Sequence, residues 1–410
     1  MKKPPTTHAI TAPEENITAE IMLERAQAMV PRLRERATAT EELRTLPVET
    51  VNDFIEAGFY RILQPRRFGG YELGLRSFCD VMTQIARGCS SAGWVLCLTS
   101  AHTFHMSACA EAGQVEMYGD DGDFRCPLIL APQGTATPVD AGYELNGRWN
   151  YNSGGEHSNW VAVSAIVPGA GKDSPPADLL MAFIPREDYE VFDNWHTLGM
   201  RGTGSKQAVV ESVFVPEHRV ISQPAWSAGR APGYGVHDNP FYQTPHIEVF
   251  CAELSAICIG IAEAALDAFI ERAESKANPF PPFQRLKHDS ATQRYLGLAR
   301  ARVDAASAVL DRILANQDNS CKQVEAGTCE YSRESTLRIM LLVNEVCRLC
   351  TEAIDCLFAK SGTSATQSGQ VIERVYRDLA TIRTHYLMDE ERNAQSWGAL
   401  HFGLAERPMS

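Results

Sequence analysis

The chain has 410 residues, a formal net charge of -13 and twelve cysteines. That length can bury a large core and more than one domain, and an acidic balance with no compensating basic run excludes nucleic acid and anionic membranes as expected partners. The opening MKKPPTTHAITAPEENITAE carries two lysines but no apolar run after them, so no signal peptide is expected there. No apolar stretch is read as approaching the roughly eighteen residues of a membrane span, so the expectation is a soluble, cytoplasmic protein.

The first hundred or so residues read as helices. In the segment AEIMLERAQAMVPRLRERATATEELRTLPVETVNDFIEAGFYRIL apolar residues recur at three- and four-residue intervals, with Pro31 and Pro47 as punctuation. Residues 76–109 continue in the same manner. From about Cys126 the period changes to two. CPLILAP, YELNGRWNY, WVAVSAIV, DLLMAFIP and AVVESVFVP are short strands separated by Gly, Pro, Asn and Asp, which predicts a compact antiparallel block. A Pro/Gly-rich connection follows, and long helical patterns then run almost to the end. The expected division is a helical domain over residues 1–125, a β-sandwich or barrel over 126–222, a linker over 223–245 and a helical bundle over 246–410. The cysteines are scattered through apolar segments, as buried thiols in a reducing compartment would be. Cys347-Arg-Leu-Cys350 lacks a second ligand pair, so it reads as helix packing and no metal is expected.

Within the β block, GRWNYNSGGEHSNW (147–160) interrupts its alternation. Trp149 and Tyr151 fall on alternate positions, as if to build a flat apolar surface, and Ser153-Gly154-Gly155 then break the pattern. Glycines inside a strand signal a bulge or something lying close to the backbone.

Helices, a small β block and a helical bundle, in that order, resemble the acyl-CoA dehydrogenase superfamily. The likeness rests on four local matches: QPRRFGGYEL (64–73), GRWNYNSG, LGMRGTGSKQAVVESVFVP (198–216) and ERVYRDL (373–379). A dehydrogenase of this fold needs a carboxylate base beside its flavin, which in many members follows the C-terminal Arg-Asp. Here that stretch offers Thr384-His385-Tyr386-Leu387. Some relatives carry the carboxylate on another helix, so a dehydrogenase with bound FAD stays open. The better match is the branch of two-component flavin-dependent monooxygenases, carried by SSAGWVLCLTSAHTFH (90–105), YNSGGEHSNW (151–160) and SGTSATQSGQVIERVYRDLATIRTH (361–385).

The resemblance implies an α+β chain that takes reduced FMN or FAD from a separate NAD(P)H-dependent reductase. It would react the flavin with O2 to a C4a-hydroperoxide and hydroxylate a small phenolic or indolic ring. An amine N-oxygenase of the same fold is the other open reading. Ser153 would accept a hydrogen bond from flavin N5-H, with Trp94, Tyr151 and Gly154 lining the ring and the glycines making room for it; a plain hairpin turn is the competing reading of this stretch. His102 would orient or deprotonate the phenol and titrate in the ordinary histidine range, with His105 on the same helix face as a second substrate contact. A buried imidazole bonded to a backbone carbonyl is its bland reading. His385 would stand by the flavin edge, or be a core histidine. Leu128 and Ile129 stand where several aromatic hydroxylases of the branch place a hydroxyl, so the substrate pocket is expected to be apolar. Gly362, Thr363 and Ser364 precede a helix and could offer N–H groups to a flavin phosphate, in relatives that of a neighbouring subunit, which implies a homotetramer. Gly199-Met-Arg-Gly202-Thr-Gly204 reads as a turn entering a strand, and Arg374 and Arg377 as structural ion-pair partners.

Overall fold

The computed structural model describes residues 9–169 and 175–404. Residues 1–8, the first part of the stretch read for a signal peptide, lie outside them. Five helices come first: α1 (Ala19–Leu43), α2 (Val48–Glu56), α3 (Gly74–Gly88), α4 (Ser90–Met106) and α5 (Glu111–Tyr118). Pro47 caps α2, but Pro31 lies inside α1, which continues through it. Proline deletes one backbone donor; here burial of Met22, Ala26, Met29, Val30, Leu33 and Ala37 along one face keeps the helix continuous.

Seven strands form one sheet: β1 (Leu128–Val139), β2 (Gly142–Asn152), β3 (Trp160–Val167), β4 (Asp178–Pro185), β5 (Glu190–Phe192), β6 (Lys206–Pro216) and β7 (Val220–Ser222), in the order β5-β6-β2-β1-β3-β4-β7. The expected all-antiparallel block is a mixed sheet, because β1 pairs with β3 in parallel. After the β1–β2 hairpin the chain crosses the end of β1 to reach its far side. Residues Ser153 to Asn159 make that crossing. Asn159 Oδ1 accepts from the Arg125 backbone N–H at 2.9 Å, and Arg125 Nη1 donates to His157 O at 2.8 Å.

Short helix α6 (Gln223–Ser227) opens the connection, which buries Trp226, Phe241 and Tyr242. The C-terminal helices are α7 (His246–Ser275), α8 (Ser290–Glu325), α9 (Arg333–Lys360), α10 (Val371–Ile382) and α11 (Glu390–His401). By length and composition α7 could cross a membrane, contrary to the sequence reading. Its most apolar window is 94 % buried inside the protein, packed against α3, α8 and α9. A helix enclosed on every side has no polar face to preserve, so its apolar positions merge into one run. The same holds for α4: every residue but Leu98 is buried.

Cys347 and Cys350 lie on α9, buried in the helical core. Arg374 and Arg377 of α10 pair with Glu41 of α1 at 2.8 Å each, and Asp378 Oδ1 accepts from the Met200 backbone N–H at 2.6 Å. Burial pushes the Asp378 carboxyl up to about 6. These contacts clamp the turn before β6 against the C-terminal bundle. The segment 199–204 is that turn, with a single 3-10 turn at Arg201–Thr203 leading into β6.

Candidate active site

A cavity of about 1570 Å³ opens where α4, the strand ends of the sheet, α7 and the turn after α10 meet, and it extends along α8 and the start of α9. Pockets filled by one small molecule run to roughly 300–1,000 Å³, so this one can hold two. Trp94, Leu98 and His102 of α4, Leu128 and Ile129 of β1, Ser153 of the crossing loop, and Met200, Thr203 and Ser205 of the turn before β6 are among its walls, together with His385.

His102 is 1 % exposed, and its Nδ1 lies 2.7 Å from Cys126 O. A carbonyl can only accept, so Nδ1 carries the hydrogen and Nε2 is the bare acceptor of the neutral ring. Burial pushes its pKa down to about 4, offset only in part by that bond. The bland and the functional readings of His102 therefore coincide: one nitrogen is anchored to the backbone, and the residue lines the cavity. The histidine-range titration expected from the sequence is moved well below it.

His385 follows α10 as the N-cap of a single turn, Tyr386–Met388, and its Nδ1 accepts from the Leu387 N–H at 3.2 Å. Its Nε2 therefore bears the hydrogen. By surface area the ring is partly exposed, yet it sits deep among protein atoms. That burial, with the Arg392 charge, pushes its pKa down to about 4. Its ring meets Trp94 edge-on at 5.9 Å.

Ser153 is 4 % exposed. Its Oγ accepts from Trp94 Nε1 at 3.2 Å and lies 2.7 Å from Ser205 Oγ. Ser205 Oγ is in turn 2.6 Å from Thr203 Oγ1, which donates to Met200 O at 2.9 Å. Sequence reading missed Thr203 and Ser205, because nothing local marks the entrance of β6 as the neighbour of the β2 end; the pairing of Asn152 with Lys206 does that.

Several expectations are corrected. Trp149 and Tyr151 do not form one surface. Trp149 is fully buried in the sheet core with its Nε1 bonded to Ser164 O at 2.7 Å, whereas Tyr151, at φ 72°, is 60 % exposed at the cavity. The pairing of β2 with β6 shifts register between Trp149 and Asn152, and a one-residue slip sends the next side chain to the opposite face. Gly154 is not a cavity wall. It sits at φ 72°, where a Cβ would stand 2.6 Å from Val95 Cγ1, and one on Gly155 would meet Asn152 at 2.1 Å. The room those glycines make is for helix α4 and for Asn152.

His105 lies behind the cavity rather than on it. It is wholly buried, stacked on Phe250 at 4.1 Å and edge-on to Trp226 at 5.5 Å. Among the described residues only the Ala101 backbone comes near its ring nitrogens, without good hydrogen-bond geometry, and burial pushes its pKa well below the usual value. Gly362, Thr363 and Ser364, expected to face a neighbouring subunit's flavin, do not line this chain's own cavity. Gly362 caps a single 3-10 turn, Thr363–Thr366, and α10 follows from Val371. Ser364 Oγ accepts from Arg272 at 2.5 Å.

Two carboxyls that the sequence reading did not single out also reach the cavity, both from α7. Glu248 Oε1 accepts from Ser320 at 2.8 Å, and burial pushes its pKa up to about 7. Glu253 is wholly buried, neither oxygen meets a hydrogen-bond partner among the described residues, and burial pushes it well above the carboxylate range. A carboxyl held protonated is a poor general base, so Glu253 does not supply the base whose absence the C-terminal sequence already noted; Glu248, raised only to about 7 and bonded to Ser320, keeps the basicity of one. The donor set fits a flavin instead. Trp94, Leu98, Leu128 and Met200 give apolar surface for a flat tricycle, while Ser153 and His385 offer an acceptor and a donor for its polar edges.

The comparisons agree. Residues 18–118 match the acyl-CoA dehydrogenase N-terminal domain and residues 252–390 its C-terminal domain. The chain is 35 % identical over 382 residues, 93 % of this chain and 98 % of the other, to the oxygenase subunit HsaA of a flavin-dependent monooxygenase from Rhodococcus jostii. It is 27 % identical over 408 residues, 98 % of this chain and 93 % of the other, to the oxygenase component of p-hydroxyphenylacetate 3-hydroxylase from Acinetobacter baumannii. Among solved structures, XiaF from a Streptomyces species in complex with FADH2 and glycerol superposes with a TM-score of 0.86 at 26 % identity, covering 96 % of this chain and 97 % of the other. The chain belongs to the acyl-CoA dehydrogenase family, in its branch of oxygenase components of flavin-dependent monooxygenases.

Proposed function

We propose that this oxygenase component hydroxylates a small phenolic aromatic, using reduced FMN or FAD delivered by a separate NAD(P)H-dependent reductase. The observation that carries the reading is His102, a buried neutral imidazole whose Nδ1 is anchored to Cys126 O, which leaves Nε2 as the ring's only acceptor on a residue lining the cavity. Bound reduced flavin would supply the electrons that activate O2. Ser153 would hold its N5-H edge and Trp94 would cover its face.

At a pKa of about 4, His102 does not deprotonate a resting phenol, whose own pKa lies near 10. Its Nε2 accepts a hydrogen bond from the phenol O–H and orients the ring. Once oxygen has added to the ring carbon, the phenol oxygen becomes a protonated carbonyl, acidic enough to pass its proton to Nε2. Leu128 and Ile129 shield that exchange from water. The His385 Nε2–H points the other polarity at the cavity and would hold an oxygen of the flavin edge. A homotetramer and a cytoplasmic location complete the proposal, on the strength of the family likeness and the reduced cysteines.

The test mixes the protein with reduced flavin, isotope-labelled O2 and a panel of phenols, indoles and amines, and follows product by mass spectrometry. Label in a ring hydroxyl is the expected result. Label on nitrogen alone would replace this reading with N-oxygenation.

A further inference from the structure

We infer that Thr203 and Ser205 make the cavity select reduced over oxidised flavin, by fixing Ser153 as a hydrogen-bond acceptor only. The inference rests on the proposed reading that the N5 edge of a flavin meets Ser153. Its basis is the direction of the chain Trp94–Ser153–Ser205–Thr203–Met200. At one end Trp94 Nε1–H can only donate. At the other the Met200 carbonyl can only accept.

Between these ends stand three hydroxyls with one hydrogen each, and three contacts of 2.7, 2.6 and 2.9 Å to fill. One arrangement alone puts a hydrogen into every contact: Ser153 donates to Ser205, Ser205 to Thr203, and Thr203 to Met200 O. Reversing it sets a Thr203 lone pair against the Met200 oxygen. All three hydroxyl residues are buried, at 4 % exposure or less, so water does not scramble the order. The terminal carbonyl is itself pinned. Met200 N–H donates to Asp378 Oδ1 at 2.6 Å, and Trp195 Nε1 donates to Met200 O at 3.1 Å. Hydrogen bonds running head to tail also polarise one another.

Ser153 has then spent its only hydrogen on Ser205 and one lone pair on Trp94. What it presents to the cavity is a lone pair. Reduced flavin carries N5–H, a donor, and completes the chain. Oxidised flavin carries a bare N5 lone pair, and two acceptors would face each other. The turn before β6 therefore favours the redox state that an incoming reductant must have and helps expel the oxidised form.

The experiment compares dissociation constants for oxidised FMN and FAD, and for their anaerobically reduced forms, in the unmodified protein and in Ser205→Ala, Thr203→Val and Ser153→Ala. Ser205→Ala releases the Ser153 hydrogen. Thr203→Val deprives Ser205 of its acceptor and lets the chain reverse. Both variants should bind oxidised flavin more tightly, lowering the ratio of oxidised to reduced dissociation constants about tenfold, the worth of one net hydrogen bond. Ser153→Ala should lower the same ratio by weakening reduced flavin instead. If one of the two relay variants does not fold, as judged by its thermal midpoint, the other decides. An unchanged ratio in a folded relay variant overturns the inference, as does an unmodified protein that shows no preference; both leave the flavin reading standing. Binding of neither form by the unmodified protein would remove that reading as well.

Discussion

Three histidines line the cavity, each with its pKa pushed down to about 4, and two of them, His102 and His385, have opposite hydrogen-bond polarity. His102 sits mid-helix on α4 and gives its Nδ1 hydrogen to a carbonyl, so its remaining nitrogen accepts. His385 caps a turn and takes a backbone hydrogen on Nδ1, so its remaining nitrogen donates. The side chain is identical, and His102 is the more fully covered of the two. The backbone group each ring meets therefore sets what it can do: a helix buried against a strand entrance offers a carbonyl, whereas the start of a turn offers a free N–H. Two rings that a pKa alone would call equivalent are assigned different tasks.

The largest expected effect breaks the acceptor side. His102→Asn should cut hydroxylation about a hundredfold, the usual worth of a placed general base. Flavin should still be oxidised, with hydrogen peroxide released in place of product, and comparing O2 consumed with product formed checks this. Undiminished coupling would make His102 a packing residue.

Acid should act on both sides alike. Each ring has its folded pKa near 4, below the ordinary histidine value of about 6.5, so the unfolded chain binds the extra proton first. The stability they contribute is complete above about 6.5 and is lost as pH falls from there toward 4, by up to roughly 3 kcal/mol per ring. Asp378, raised to about 6, Glu248, raised to about 7, and Glu253, raised well above its usual value, have the opposite sign, since their folded forms bind the proton more tightly and gain stability over part of the same interval. Thermal melts between pH 7 and 5 should fall steeply, and less steeply in His102→Asn. Equal slopes would mean that the ring is not buried neutral.

Breaking the donor side costs less. His385→Leu removes one hydrogen bond offered to the cavity and should weaken reduced-flavin binding about tenfold, whereas His385→Gln, which keeps an N–H, should recover part of it. Identical affinities in the two variants would show that the ring's polarity is irrelevant. The smallest effect is expected for Trp94→Phe. It retains the apolar wall and deletes only the Nε1–H that reaches Ser153 at 3.2 Å, so binding should weaken by roughly two- to fivefold. A larger loss would mean that the indole face, rather than its N–H, holds the ligand.

Much of this protein was legible in its sequence. The shift from a three-to-four period to a period of two, and back, located the helices and strands, because side-chain direction repeats locally in each. An imidazole on the apolar run 94–110, and a serine where a strand stops alternating, marked His102 and Ser153. Other features formed only when distant segments met. His102 finds Cys126 across 24 residues, and Ser153 finds Trp94 across 59 and Ser205 across 52. No local periodicity encodes such pairings. For the same reason Gly154 was misread. Its positive φ and its closeness to Val95 belong to the crossing of α4 over the loop, an event the strand pattern does not contain. His105 has the same residue type and helix as His102, but the aromatic rings of Phe250 and Trp226 shut it off from the cavity. The sequence by itself determined which elements form, in what order, and which polar side chains lie in apolar surroundings, since these follow from chemistry within a few neighbouring residues. Tertiary structure decided which nitrogen of His102 holds a hydrogen and what Ser153 presents to the cavity, because hydrogen-bond polarity is set by the partner: His385, Ser205 and Thr203 meet partners within three residues, whereas those of His102 and Ser153 come from distant parts of the chain.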